Sequence, residues 1–227
     1  MRQLQTSRLT TLLAAVALSA CATSPSAKQS SVVPTPTGPV DPVYVAKARS
    51  DSMRLPYTDK DVEFMSHMIG HHAQAIAMSR WAPTHGASPA VQRLADRIIN
   101  AQQDEIGIMQ RWLRDRLKPV PDATPNGMKM TMGGMEHVML MPGMLTEAQM
   151  KELDAARGPE FDRLFLTYMI QHHKGAVSMV KDLFGTYGAG QDETVFKFAS
   201  DVNVDQTTEI ARMEKMLASI SLGITVE

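Results

Sequence analysis

Two adjacent histidine pairs, His71-His72 and His172-His173, stand in near-copies of one motif. The first copy reads DVEFMSHMIGHHAQAIAMS from Asp61, and the second reads DRLFLTYMIQHHKGAVSMV from Asp162. Neutral imidazole is the commonest side-chain ligand for metals. The flanking Met68, Met78, Met169 and Met179 carry soft thioethers suited to Cu(I). Neighbouring residues on a helix point about 100° apart, so one pair cannot easily hold one ion. Duplication changes this: His71 and His172 can face each other across a seam, with Glu105 and Glu209 from partner helices nearby. The same groups would equally form a buried hydrogen-bond network, because polar atoms in an apolar seam are costly unless each finds a partner. Methionines at helical spacing, Met109 and Met213 included, also read as adaptable core filler.

A second concentration of sulfur runs from Met128 to Met144, MKMTMGGMEHVMLMPGM, in a chain with eighteen methionines and few aromatics. Thioethers bind metal without losing a proton, so they work in acid as well as at neutrality. In an extended strand, Met128, Met130 and Met132 would project from one face, and Met135, His137, Met139, Met141 and Met144 add donors within reach. Gly-Gly and Pro-Gly interrupt the stretch. With no helical face to bury these side chains, the sequence predicts copper recruitment here ahead of packing. His85, in a Pro-Thr-His-Gly turn, reads as a solvated loop residue.

Helices must position these groups, and apolar periodicity is helical from Thr58 onward. Thr58 and Asp61 form a capping box for a helix to about Trp81. Ser88-Pro89 starts a second helix to about Leu117. A loop spans Lys118 to Leu145, and Thr146 caps a short helix ending at Gly158. Two further helices run from about Pro159 to Thr186 and from Gln191 to Ser221. In the repeat, Asp61, Phe64, Met68, Ile69, His71, His72, Ala75 and Met78 match Asp162, Phe165, Met169, Ile170, His172, His173, Ala176 and Met179. Gln102, Glu105, Ile106, Met109 and Leu113 match Gln206, Glu209, Ile210, Met213 and Leu217. Two such hairpins predict an all-α, ferritin-like four-helix bundle with a Met-rich crossover loop.

The doubled MI-x-HH-x-x-A-x-x-M signature, with MPGML before its second copy, resembles the domain-of-unknown-function 305 family from about Thr58 to Leu217. The resemblance implies a ferritin-like helical fold in exported bacterial proteins. Some members, the CopM-like periplasmic proteins, are linked to copper binding and copper resistance.

The beginning of the chain supplies an address. Arg2 and Arg8 precede an apolar run, Leu9 to Leu18, too short to span a bilayer. Leu18-Ser19-Ala20-Cys21 then matches a lipoprotein signal-peptidase box. The expected organisation is a signal peptide at 1–20, lipidated Cys21 with a flexible Ser/Pro-rich tether at 21–56, and the duplicated domain at 57–227. Cys21 is the only cysteine, so no thiol remains for a disulfide or a thiolate metal site. A net charge of −1 without a basic patch argues against nucleic acid. The leading expectation is envelope-anchored copper sequestration or handover, with a copper-handling partner protein. A dinuclear iron or manganese oxidase is the alternative enzyme reading, but it needs paired carboxylates and Glu-x-x-His motifs. Neither Glu105 nor Glu209 has a histidine three residues on. A third reading is a metal-free module gripping a partner through its methionines.

Overall fold

In a computed structural model of the chain, the described residues are 46, 56–132 and 135–223, and within 128–137 the description covers backbone only. The predicted signal peptide and Cys21 lie outside these residues, as does the predicted tether apart from residues 46 and 56.

Among the described residues from 56 onward, five helices carry the domain: α1 (Asp59–Ser79), α2 (Pro89–Asp115), α3 (Glu147–Ala155), α4 (Gly158–Gly185) and α5 (Glu193–Ser221). Helices α1 and α2 pack as one hairpin, α4 and α5 as the other, and α1 meets α4 across the seam. Local sequence fixes most starts. Thr58 and Asp61 complete the expected capping box on α1, Ser88 caps α2 ahead of Pro89, and Thr146 with Gln149 caps α3. Helix α5 starts two residues later than expected, because the Asp192 carboxylate accepts the N–H groups of Thr194 and Val195 at 3.0 and 3.1 Å.

That carboxylate is fully buried, and it also takes the Trp112 indole N–H at 3.0 Å and an ion pair from Arg116. One residue therefore ties the end of α2 to the start of α5. The repeated aspartates join the hairpins a second way. Asp61 accepts the N–H of Gly190, in the α4–α5 turn, at 2.7 Å. Its counterpart Asp162 accepts the N–H of Ser88, in the α1–α2 turn, at 3.1 Å. Each hairpin thus caps the other's turn.

The crossover departs from the expected loop. It contains an antiparallel β-hairpin, β1 (Met128–Met132) with β2 (Met135–Met139), in which Met128 lies opposite Met139 and Met130 opposite His137. His85 also departs from expectation. It is buried, with Nε2 2.9 Å from the Asp154 carbonyl and its ring 5.2 Å from that of Phe161. A turn in sequence is here an internal joint, because the start of α4 folds back over it: the Gly158 N–H donates to the His85 carbonyl at 2.8 Å.

The apolar core falls into two clusters. One gathers Phe64, Met68, Met109, Leu183 and Phe198 at the end holding Asp192. The other gathers Met78, Leu94, Phe165, Met169 and Met213 at the opposite end. The repeat exchanges them, with Met68 in one and its counterpart Met169 in the other. Between them lies the histidine layer.

Candidate metal centre

All four repeat histidines are buried at this waist with no solvent exposure. His71 and His172 meet across the seam, as the duplication predicts, with ring centroids 3.8 Å apart and planes at 41°. The glutamates, however, sit beside the other two. His72 Nε2 lies 2.7 Å from Glu105 Oε2, and His173 Nε2 lies 2.8 Å from Glu209 Oε2. The reason is that each first helix has two neighbours. His71 and His172 point at the opposite hairpin, while His72 and His173, about 100° around the helix, point at the second helix of their own.

Protonation follows from burial. Nε2 of His71 is 3.0 Å from the Pro142 carbonyl, which can only accept. The ring proton therefore sits on Nε2, leaving the Nδ1 lone pair free. Burial, reinforced by neighbouring His72, pushes the His71 imidazolium down to about 3, against the weaker pull of the Pro142 carbonyl. His172 is driven well below its ordinary value by burial first and His71 second. Both rings are neutral near pH 7, the form that can donate a lone pair to a metal.

The waist is polar without being satisfied. Among the described residues, nine of the eleven buried side-chain polar atoms lacking a hydrogen-bond partner belong to His71, His72, His172, His173, Gln102 and Gln206. His72 Nε2 is one of them: close to Glu105 in distance, but not aligned as a hydrogen bond. Gln102 and Gln206 are not among the ligands the sequence predicts, though the repeat carries a signal for them. They match between repeats and stand one turn ahead of Glu105 and Glu209. Toward solvent, the Asp205 carboxyl is pushed up by burial, then by Glu105, Asp201 and Glu209. Carboxylates this close concentrate negative potential outside the waist.

Sulfur flanks the layer. Met68 and Met169 lie one turn before the histidines of their helices, where side chains at i and i+3 or i+4 are neighbours. Met68, Met78 and Met169 are fully buried, and Met179 nearly so. The crossover brings more. The expectation that nothing buries its methionines fails for Met141 and Met144, which are packed into the core. Their seat is a notch at Gly175, where a Cβ would stand 2.0 Å from the Pro142 oxygen. Gly143, in the left-handed region at φ 79°, turns the chain over it. Met141 Cε rests against Gly70, beside His71. Gln74, the counterpart of Gly175, holds the same loop by donating to the Leu145 carbonyl at 3.1 Å and accepting its N–H at 2.6 Å. Met128, Met130, Met132, Met135 and His137 belong to the β-hairpin, and Met139 at its end is exposed.

Among the described residues, no three His, Cys, Asp or Glu side chains converge to hold an ion. Nitrogen and carboxylate donors come here only in pairs, so a fuller coordination shell at the waist would draw on other groups, with the neighbouring thioethers and the free Gln102 and Gln206 oxygens within the layer.

Residues 61–217 match a family described as "Domain of unknown function (DUF305)". A Streptomyces coelicolor DUF305 protein assigned as secreted is 30% identical, with a TM-score of 0.58 over 71% of this chain and 92% of that one. A DUF305 fragment from Deinococcus radiodurans is 27% identical, with a TM-score of 0.59 over 72% and 98%. CopM in its Cu(I)-bound form is 27% identical, with a TM-score of 0.53 over 70% and 96%. CopM has also been solved with Cu(II) and with Ag bound. The uncharacterized protein L153 of Acanthamoeba polyphaga mimivirus is 39% identical over 56 residues, 25% of this chain, and the match spans only 37% of that curated relative.

Proposed function

The chain belongs to the DUF305 family, and from that premise we propose that it binds copper, chiefly as Cu(I), at the bacterial cell envelope, for sequestration or handover. The observation that carries this reading is the unsatisfied waist. A buried polar atom without a partner costs roughly 1–3 kcal/mol, and this layer collects nine of them. An ion offers compensation that apolar packing cannot. With imidazoles only in pairs and methionines on both sides, the site suits a soft ion that accepts two nitrogens and completes its shell with sulfur. The copper- and silver-bound forms of CopM support the same choice.

In this reading the hairpin sulfurs, Met128, Met130, Met132, Met135 and Met139 with His137, capture copper. Met141 and Met144 lead inward, and His71, His172, His72 and His173 with Met68, Met78, Met169 and Met179 retain it. Glu105 and Glu209 orient the outer histidines. Copper is cargo here, passed to a partner protein rather than used for turnover. The anchor is lipid on Cys21, supported by the Leu18–Cys21 box. Among the described residues, no helix is long and apolar enough to cross a membrane.

The test is elemental analysis of the protein purified from copper-supplemented cells, followed by Cu(I) titration against a selective competitor under reducing conditions. Copper at the waist requires that His71→Leu with His172→Leu lowers affinity sharply. Iron or manganese in place of copper would turn the reading toward a dinuclear oxidase, and no metal toward a protein-interaction module.

A further inference from the structure

Four large apolar side chains stand exposed at one end of the bundle: Leu117 after α2, Phe184 at the end of α4, Tyr187 in the α4–α5 turn, and Phe196 in the first turn of α5. Tyr187 is fully exposed. Phe184 and Phe196 pack ring to ring at 5.7 Å, so together they present one aromatic surface. Leu117 adds a conformational oddity. It occupies the left-handed region at φ 54°, in a helix-ending turn where the Lys118 N–H reaches the Leu113 carbonyl at 2.9 Å. Glycine is the usual occupant of that position. A leucine held there, and 85% exposed, offers an apolar side chain to something outside the domain.

The same end receives the chain from the N-terminal side. Tyr57 packs on Trp112 with centroids 5.6 Å apart, and Thr58 lies against Gly188 in the α4–α5 turn. Whatever holds residues 21–55 is therefore attached beside the aromatic patch. Residues 21–55 are 35 in number and rich in Ser and Pro, a tether length that would keep the domain at high effective concentration near its anchor. Tyrosine is enriched at the membrane–water interface, and phenylalanine and leucine form the apolar faces that interfacial segments bury at the headgroup boundary.

We propose that this end, through Leu117, Phe184, Tyr187 and Phe196, is a lipid-interface contact that seats the domain on the membrane to which Cys21 anchors it. The inference rests on the lipoprotein reading and adds a second attachment, one that fixes orientation. Because lipidation consumes the only native thiol, a cysteine introduced elsewhere becomes the sole labelling site.

The experiment uses the full-length mature lipoprotein in phosphatidylcholine–phosphatidylglycerol vesicles. An environment-sensitive fluorophore is placed at Tyr187→Cys or, as the distal control, at Lys215→Cys toward the far end of α5. Spin-labelled lipids should quench the probe at 187 several-fold more than that at 215. Phe184→Ser with Phe196→Ser should abolish the difference, with unchanged circular dichroism and unchanged fatty-acid mass on Cys21. Equal, weak quenching at both sites with Cys21 lipidated overturns the seat and leaves the anchor standing. Absence of lipid on Cys21 overturns both. A shielded probe at 187 that needs no lipid and responds to protein concentration assigns the patch to a second copy, and equally overturns the proposal.

Discussion

The notch at Gly175 gives the sharpest quantitative test. In Gly175→Ala the new methyl would lie 2.0 Å from the Pro142 oxygen, 2.5 Å from its carbonyl carbon and 2.6 Å from Gly143 Cα. All three are backbone atoms, so no rotamer change relieves the clash and the crossover must lift. Lifting breaks the His71–Pro142 hydrogen bond, worth about 1 kcal/mol. It also withdraws Met141 and Met144 from the core, at roughly 1.5–3 kcal/mol each. Full undocking therefore costs roughly 4–7 kcal/mol, offset by about 1 kcal/mol because alanine favours helix over glycine. Gly107→Ala is the matched control: it sits within α2, where the only nearby atom is Arg111 Nη1 at 3.9 Å, and it should stabilise by about 0.5–1 kcal/mol. Urea unfolding of the metal-free protein measures both, and hydrogen exchange of residues 141–145 reports the loop directly. If Gly175→Ala gains stability as Gly107→Ala does, the crossover is not seated as described and its methionines have no claim on the waist.

Four further outcomes follow from the same geometry. Metal-free stability should fall as pH drops from about 6.5 toward 3: the unfolded state takes up protons that buried His71 and His172 refuse, costing up to about 1.4 kcal/mol per pH unit for each. Denaturant titrations at pH 7, 6 and 5 should show this, and a flat profile would mean the rings are not buried as neutral bases. Replacing Asp192 with Ala strands Arg116 without its buried partner and should cost roughly 3–5 kcal/mol, read as a large drop in thermal midpoint. Leu at Met128, Met130, Met132, Met135 and Met139 should remove a share of Cu(I) that survives pH 5, with the fold unchanged by circular dichroism; retention of that share would acquit the hairpin. Cys21→Ala should end fatty-acid labelling.

What could be read from sequence was what is local. Thr58 with Asp61, Ser88 with Pro89 and Thr146 with Gln149 need only neighbouring residues to set a helix start, and the structure keeps all three. The duplicated stripe brought His71 to His172 because a repeat implies its own symmetry. What stayed hidden depends on contacts distant in the chain. The burial of His85 requires Asp154 and Phe161. The second task of Asp61 requires Gly190, and the burial of Met141 and Met144 requires a notch whose marker, Gly175, looks like any helical glycine. Which histidine each glutamate meets is likewise hidden, because a single stripe cannot say which of its edges meets which neighbour; the structure puts Glu105 beside His72 and Glu209 beside His173.

The reciprocal contacts of Asp61 with Gly190 and of Asp162 with Ser88 have an evolutionary consequence. They are the contacts that two identical hairpins would make about a dyad, each closing the other, so a lone hairpin of this kind is incomplete by construction. A single hairpin of this kind would have to pair with a second copy, every change appearing twice; two hairpins in one chain are free of that constraint. In one chain the two copies are free to differ: position 74 holds a glutamine that grips the crossover, while position 175 holds a glycine that admits it.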